Sequence, residues 1–240
     1  FNTGKNLAAF EGFTFNQYRE LFRDKDLLGL LGNSLLIAIL STAIATAFGT
    51  FAAVGIHSLK PKMRKAVMTL TNIPMTNPDI VTGISLSLLF VFVGRLVSND
   101  AVLGFGTMLI AHVTFNLPYV ILNVLPKLRQ LDRFLPEAAM DLGCTPLQAF
   151  FKVILPSIST GIFSGLMMSF TLSLDDFVIS HFVRSPDFQT LPLYVYNQTA
   201  HEVKFSMYAL CALMVFVILG LLLAVNFMGA RGKDKKGGRA

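Results

Sequence analysis

Three aspartates, Asp79, Asp175 and Asp176, lie within stretches of sequence that are otherwise almost free of charge. A charge near the centre of a lipid bilayer costs roughly 2.5–3.5 kcal/mol by insertion scales, so it normally faces protein or water. No Lys or Arg lies within these stretches to neutralise the three carboxylates. The sequence therefore predicts a wet, negatively charged path through the molecule, suited to a cation.

The two adjacent aspartates are not expected to play the same part, because neighbouring side chains on a helix point about 100° apart. We expect one of Asp175 and Asp176 to face the path and the other to cap a helix end or pair with a partner subunit. A protonated carboxyl that donates a hydrogen bond is a further alternative. Ring faces attract cations, and the candidate aromatic partners are Phe115, Tyr119 and Phe170.

The elements that must carry these residues are transmembrane helices. The chain has 240 residues, of which 53% are hydrophobic and 14% are charged, whereas soluble domains average about 25% charged residues. A helix needs about 20 apolar residues to cross the hydrocarbon core, and lipid cannot satisfy free backbone N–H and C=O groups. The alternative, a soluble bundle of buried helices, rarely has five such segments. The sequence predicts an all-α transmembrane fold with five spans, at about 31–56, 66–93, 104–125, 158–183 and 205–228.

The distribution of basic residues predicts which loops are cytoplasmic. One set of loops comprises 57–65, 126–157 and 229–240, and the other comprises 1–30, 94–103 and 184–204. The first set holds 13 Lys and Arg and the second holds 7, which places the first set inside by the positive-inside rule. The basic tail at 229–240 then suits anionic lipid rather than nucleic acid.

The N-terminal segment, residues 1–30, is predicted to be extracytoplasmic and to contain a short interfacial helix, since its aromatic residues have amphipathic spacing. It shows no cleavable signal sequence. We therefore expect a first transmembrane helix to be missing from this chain.

The cytoplasmic loop 126–157 is predicted to form two short helices that meet at a sharp corner. Pro136 suits the first turn of a helix, and Gly143 supplies a left-handed stop. Thr145 and Gln148 have the spacing of a capping box that starts a second helix. Taken alone, the pattern also fits an αα-hairpin without a binding role.

This loop resembles the EAA loop of ABC importer permeases. EAA at residues 137–139 is followed by three residues, Gly143, nine residues and VILP at residues 153–156. Val153 stands where the family pattern has Ile. In that family the short helix of the loop docks in a groove of a cytoplasmic ATPase and transmits ATP-driven closure. The resemblance assigns this coupling to Glu137, Ala138, Ala139, Gly143, Leu155 and Pro156.

The resemblance extends through nearly the whole chain, which is similar to PotC-type permeases of spermidine/putrescine importers. The matching segments are NPDI at 77–80, LPY at 117–119, SFTLSLDD at 169–176 and LPLY at 191–194. The resemblance implies a MetI-like transmembrane domain over 31–228, in a bacterial inner or plasma membrane. The three aspartates would then hold the ammonium groups of a polyamine in turn.

The implied partners are a second permease, PotB-like and forming a heterodimer, two copies of a PotA-like ATPase, and an extracytoplasmic PotD-like binding protein. ATP and magnesium would be bound by the ATPase, so this chain is expected to hold no cofactor and to be no enzyme. Its remaining partner is membrane lipid, and no nucleic acid is expected.

Two alternatives remain open at this point. The same scaffold could carry thiamine, iron, phosphonate or another cation, although stretches with only negative charges disfavour an anion. An integral membrane enzyme would need a nucleophile or metal ligands beside Asp175 and Asp176, and His181 lies off the face of Asp176. No Walker A, GxGxxG, HExxH or GxSxG pattern occurs in the sequence, so nothing supports nucleotide, zinc or serine-hydrolase chemistry.

Overall fold

The computed structural model describes residues 12, 14, 16–97, 103–185, 188–198, 207–216, 218–220 and 223. The helices, numbered in chain order, are α1 Asn16–Leu21, α2 Lys25–Ser58, α3 Pro61–Thr76, α4 Asp79–Leu96, α5 Phe105–Gln130, α6 Leu135–Asp141, α7 Pro146–Ala149, α8 Leu155–Ser157, α9 Ser159–Asp175, α10 Val178–Val183, α11 Leu191–Gln198 and α12 Met207–Gly220. A π-helical segment, Phe150–Ile154, joins α7 to α8. Within the described ranges, extended pairing is limited to one isolated bridge between Ser185 and Phe188. The all-α prediction is confirmed.

The centre of the molecule is a bundle of α2, α5 and α9, which pack against one another in all three pairings. The helix α2 turns a stripe of small buried residues toward its neighbours, comprising Ser41, Ala45, Gly49 and Ala53. Small residues at every fourth position let helix backbones approach closely. A Cβ atom added to Gly49 would lie 2.7 Å from the Cβ of Val120 on α5. The stripe is therefore closely packed against α5, and a larger side chain at Gly49 would not fit without a shift.

This close packing predicts a contrast between two glycines of α2. We expect Gly49→Ala to lower the stability of the folded chain by about 1–3 kcal/mol, as overpacking of a filled core does. Gly55 is the matched control, because a Cβ added there meets nothing within 4 Å. Thermal unfolding of the two variants in detergent measures the difference, and equal melting temperatures would contradict the packing described.

The predicted span at 66–93 is not one helix, because the chain breaks between α3 and α4. Asn77 has an extended backbone, with φ −78° and ψ 143°, since a residue that precedes proline avoids the helical region. Pro78 follows it and precedes the first turn of α4. Pro74 remains inside α3, so the second of the two prolines alone ends the helix.

The predicted span at 158–183 is wrong as a continuous helix. The helix α9 ends at Asp175, and α10 begins at Val178. Of the two residues between them, Asp176 has an extended backbone, with φ −68° and ψ 124°. The side chain of Asp176 accepts hydrogen bonds from the backbone N–H groups of Ile179 and Ser180, both in the first turn of α10. A side chain that caps a new helix start in this way favours a break over continuation.

Among the described residues, three helices, α2, α4 and α5, are long and apolar enough to cross a membrane. The pair Pro146–Ser157 and Ser159–Asp175 passes the same test together, with a bend of 67° between its two parts, and α12 is a shorter apolar helix. These elements correspond in place to the predicted spans. The predicted number of membrane spans, five, remains a prediction.

Large apolar side chains also face outward along these helices. Phe48 on α2 and Phe92 on α4 are 63% and 61% exposed. Soluble monomers rarely expose contiguous apolar patches beyond a few hundred Å², so these surfaces suit lipid or neighbouring helices in a membrane. The soluble-bundle alternative does not account for them.

The predicted terminal segments are described only in part. The helix α1 lies within the predicted extracytoplasmic segment, and its Leu21 packs with Leu27, Leu191 and Leu210. Residues 1–11 and everything from 224 onward, including the basic tail 229–240, lie outside the described residues. The division of the chain into segments therefore stays a prediction.

Candidate functional site

The two helix breaks meet at one cavity. The helix α4 packs against α10, and Gly83 permits the approach, since a Cβ added to it would lie 2.8 Å from Cδ2 of Phe182. This packing brings the first residue of α4, Asp79, to the end of α9. The cavity has a volume of about 270 Å³ and is lined by Asp79, Phe115, Thr171, Leu172, Asp175, Asp176, Phe177 and Val178.

The cavity is acidic: among the described residues that line it, three are aspartates and none is basic. Asp175 is exposed and makes no hydrogen bond within the described part of the chain. It stands at the C-terminus of α9, where the last backbone carbonyls lack intrahelical partners and the helix dipole is negative. The unpaired carbonyls and the helix dipole both add to the negative electrostatic potential of the carboxylate. This corner of the cavity therefore favours a cation.

Asp176 is engaged in holding the break. Its Oδ1 accepts from the backbone N–H of Ile179 at 3.1 Å, and its Oδ2 accepts from the backbone N–H and the hydroxyl of Ser180, both at 2.9 Å. The side chain is only 8% exposed, although it lines the cavity. Of the two adjacent aspartates, Asp176 caps a helix and Asp175 is left free.

Asp79 enters the cavity from the other broken helix. It is exposed and lies in the first turn of α4, where the positive end of the helix dipole stabilises a carboxylate. Its charge therefore has a local structural reason. Together, Asp79 on α4 and Asp175 on α9 give the cavity a carboxylate on each of two helices.

The aromatic residues of the cavity differ in part from those predicted. Phe115 lines it, and its ring centroid lies 5.5 Å from that of Tyr119 in a tilted arrangement. Phe170 is half-buried on α9 and is not among the lining residues. Phe177 was not predicted, yet it lines the cavity and stacks on Tyr196 with centroids 4.8 Å apart.

Sequence reasoning also missed a buried polar network beside the cavity. The ring of His112 lies 2.7 Å from the hydroxyl of Ser173 through Nδ1 and 3.1 Å from that of Ser180 through Nε2. Ser173 also contacts Ser41, with 2.9 Å between the hydroxyl oxygens. The sequence does show these polar residues within apolar stretches. Their spacing along the chain, however, does not indicate that their side chains contact one another.

On the cytoplasmic side of the predicted topology, the loop between α5 and α9 forms the predicted glycine corner. Gly143 has φ +89°, a backbone region open mainly to glycine. The N–H of Gly143 donates to the carbonyl of Met140 at 2.8 Å, and that of Cys144 donates to the carbonyl of Ala139 at 3.1 Å. These two bonds form a Schellman motif that ends α6.

The predicted capping box is present at the start of α7. The N–H of Gln148 donates to the hydroxyl of Thr145 at 3.3 Å, and the N–H of Thr145 donates to the side-chain oxygen of Gln148 at 3.1 Å. Reciprocal bonds of this kind fix the direction of the new helix. The corner between α6 and α7 is thus defined on both sides by local hydrogen bonds.

This hairpin presents apolar side chains outward. Leu142 and Leu147 are 88% and 72% exposed. Ala139 is buried within the hairpin, so any coupling role it has is exerted through hairpin packing. The other residues that the resemblance assigned to coupling are exposed or partly exposed, and they are Glu137, Ala138, Gly143, Leu155 and Pro156.

Comparison with known proteins gives relatives along most of the chain. Residues 45–231 match the family described as binding-protein-dependent transport system inner membrane component. The chain is 39% identical over 229 residues to the putrescine transport system permease protein PotI of Escherichia coli K12, covering 95% of this chain and 80% of that protein. It is 35% identical over 222 residues to the spermidine/putrescine transport system permease protein PotC of Haemophilus influenzae, covering 92% and 84%.

The fold is also that of a solved transporter. A bacterial ABC transporter involved in the import of the acidic polysaccharide alginate matches with a TM-score of 0.73 at 16% identity, over 92% of this chain and 85% of that one. An identity this low shows the common fold and says nothing of substrate.

The apolar helices, the helix breaks around an acidic cavity and the similarity to known permeases together define a multi-pass permease of the bacterial inner membrane, a transport component rather than an enzyme. The chain belongs to the family of binding-protein-dependent transport system inner membrane components and is homologous to the PotI and PotC permeases. The predicted MetI-like permease class is confirmed.

Proposed function

We propose that this chain is a permease subunit of an ATP-driven polyamine importer and that the acidic cavity is part of its substrate path. The observation that carries the proposal is the placement of Asp79, Asp175 and Asp176 around one cavity without a basic residue among its described lining. A polyamine is a flexible multiple cation, and separated carboxylates can hold its ammonium groups in turn. Similarity to permeases named for putrescine and spermidine transport supports the same substrate class.

The aromatic rings give the path a second means of attracting cations. Phe115 and Phe177 line the same cavity as the carboxylates, and a ring face within about 6 Å of an ammonium group attracts it. Sites for a substrate that must pass through need to be weak and sequential. Single carboxylates and ring faces spread over three helices meet that requirement better than one deep pocket.

The proposed partners follow from the family and from the hairpin. The family name specifies a binding-protein-dependent system, and we assign to it an extracytoplasmic polyamine-binding protein. We assign the exposed hairpin of α6 and α7 to binding a cytoplasmic ATPase. The importer would contain two copies of this ATPase, and each copy would bind the hairpin of one permease. A second permease, either a distinct chain or another copy of this one, would complete the path.

Two measurements test the proposal. Purification of the complex from its host, through a tag on this chain, should bring down an ATPase subunit. Cells that carry the chain should take up radiolabelled putrescine or spermidine, and unlabelled thiamine should not compete. Uptake that thiamine blocks and polyamines do not would replace polyamine by another cation on the same scaffold. Failure of any ATPase to copurify would count against an ABC importer.

A further inference from the structure

The buried histidine His112 contacts both sides of the break between α9 and α10. Its side chain is 2% exposed, in the core between α5 and its neighbours. Ser173, bound to Nδ1, belongs to the last turn of α9, and Ser180, bound to Nε2, belongs to α10. The same Nε2 lies 3.5 Å from Oδ2 of Asp176, at the break itself. One ring therefore spans the discontinuity.

The hydrogen bonds of the network form one consistent set. The hydroxyl of Ser180 donates to Asp176, so its oxygen is free to accept from Nε2–H of His112. The unprotonated Nδ1 then accepts from the hydroxyl of Ser173, whose oxygen accepts in turn from Ser41 at 2.9 Å, in place of the longer 3.4 Å contact from the Ser41 hydroxyl to the carbonyl of Ala38. A neutral imidazole with its proton on Nε2 thus leaves no group of the set without a partner.

The network decides what each aspartate of the pair can do. Asp176 receives two backbone N–H groups and the Ser180 hydroxyl, and Ser180 is itself held by His112. Bound in this way, Asp176 is turned toward α10. Asp175, one residue earlier, is left exposed in the cavity. Both orientations depend on where the chain breaks, and His112 ties the two broken ends to α5.

We propose that His112 is a positioning residue for the substrate path: through Ser173 and Ser180 it fixes the α9–α10 break, which keeps Asp176 as a helix cap and Asp175 facing the cavity. This inference rests on the proposed function only in taking Asp175 as the carboxylate that meets the transported cation. The local geometry it describes does not depend on which cation that is.

The test compares two substitutions that each keep half of the imidazole's hydrogen bonds. In His112→Gln the side-chain amide can reach the place of Nε2 and donate to Ser180. In His112→Asn the shorter amide reaches only the place of Nδ1, near Ser173. We expect His112→Asn to lower maximal polyamine uptake per folded complex about tenfold or more, the effect of losing a hydrogen bond within a charged group's network, and His112→Gln to retain most of it.

A second readout does not use the substrate. In the full complex, with Cys144→Ser and Cys211→Ser, the thiol introduced by Asp175→Cys is titrated with a water-soluble cationic methanethiosulfonate. We expect labelling to slow severalfold when His112→Asn is added, because a break that is no longer fixed lets the side chain at position 175 turn away from the cavity. His112→Gln should leave the labelling rate close to that of the parent.

These outcomes separate the positioning role from a purely structural one. If His112 only fills the core, both variants will lose melting temperature alike, and neither the labelling rate nor uptake per folded complex will distinguish them; that result overturns the proposal. If the unaltered complex takes up no polyamine, the proposed function fails, whereas the labelling comparison still decides the role of His112.

Discussion

Replacing Asp175 by Asn is expected to lower the maximal rate of polyamine uptake by about tenfold or more. The carboxylate is exposed in the cavity, has no hydrogen-bond partner within the described chain and lies at the negative end of α9. A hydrogen bond to a charged group contributes about 1.5–3 kcal/mol, and about 1.4 kcal/mol corresponds to a factor of ten. An amide keeps the size of the side chain and removes the charge, so the change isolates the electrostatic contribution.

The measurement is the initial rate of uptake at saturating putrescine and spermidine, normalised to folded complex in the membrane. Saturation matters because a binding protein that captures the substrate would set the concentration dependence and hide a defect in the permease. Asp26→Asn is the matched control, since Asp26 is exposed near the start of α2 and away from the cavity. Asp79→Asn should resemble Asp175→Asn. Unchanged uptake in both would remove the cavity from the substrate path.

The neighbouring residue should respond differently. Asp176→Asn turns one of the two carboxylate oxygens, which together accept three hydrogen bonds, into an NH2 group that cannot accept, and a hydrogen bond to a charged group contributes about 1.5–3 kcal/mol. We therefore expect Asp176→Asn to lower the melting temperature of the complex, and Asp175→Asn to leave it nearly unchanged. The adjacent pair thus separates a structural carboxylate from a path-facing one.

Much of the fold could be predicted from the sequence because its signals are local. Absence of charge over long stretches marks helices that must avoid water, and the spacing of Pro136, Gly143 and Thr145 specifies a hairpin through backbone hydrogen bonds only a few residues apart. The break at Pro78 follows the same logic. The break after Asp175 has no proline or glycine to announce it, because it depends on Asp176 capping α10 and on contacts made across the bundle.

The lining of the cavity could be predicted in its charges and in one aromatic ring, that of Phe115. Asp79, Asp175 and Asp176 are conspicuous because charge is rare in these stretches, and the cavity does contain all three. The division of roles between the adjacent aspartates was left open, since it depends on where the helix stops. The contribution of His112 was missed, because its partners are 61 and 68 residues away along the chain and only the packing of α5 against α9 and α10 brings them together.

The second large effect is expected at the hairpin. We expect Leu142→Glu and Leu147→Glu, alone or together, to prevent the ATPase from copurifying with this chain and to abolish polyamine-stimulated ATP hydrolysis. Both leucines project from a corner whose geometry is fixed by a Schellman motif and a capping box. Side chains 88% and 72% exposed stabilise little within the chain itself, so their apolar surface is available to a partner groove.

The expected magnitude follows from the behaviour of interface centres. Truncating an apolar anchor at a protein interface often costs about 2 kcal/mol or more, and a buried carboxylate without a partner adds a further desolvation penalty. Affinity for the ATPase should therefore fall at least about thirtyfold, as measured by binding of the purified ATPase to the chain in nanodiscs. Phe22→Glu is the control, because Phe22 is similarly exposed, at 61%, in the segment predicted to lie on the opposite side of the membrane. Undiminished ATPase binding after both hairpin substitutions would show that the ATPase binds another surface of the permease. The hairpin corner at Gly143 would then not be the docking site.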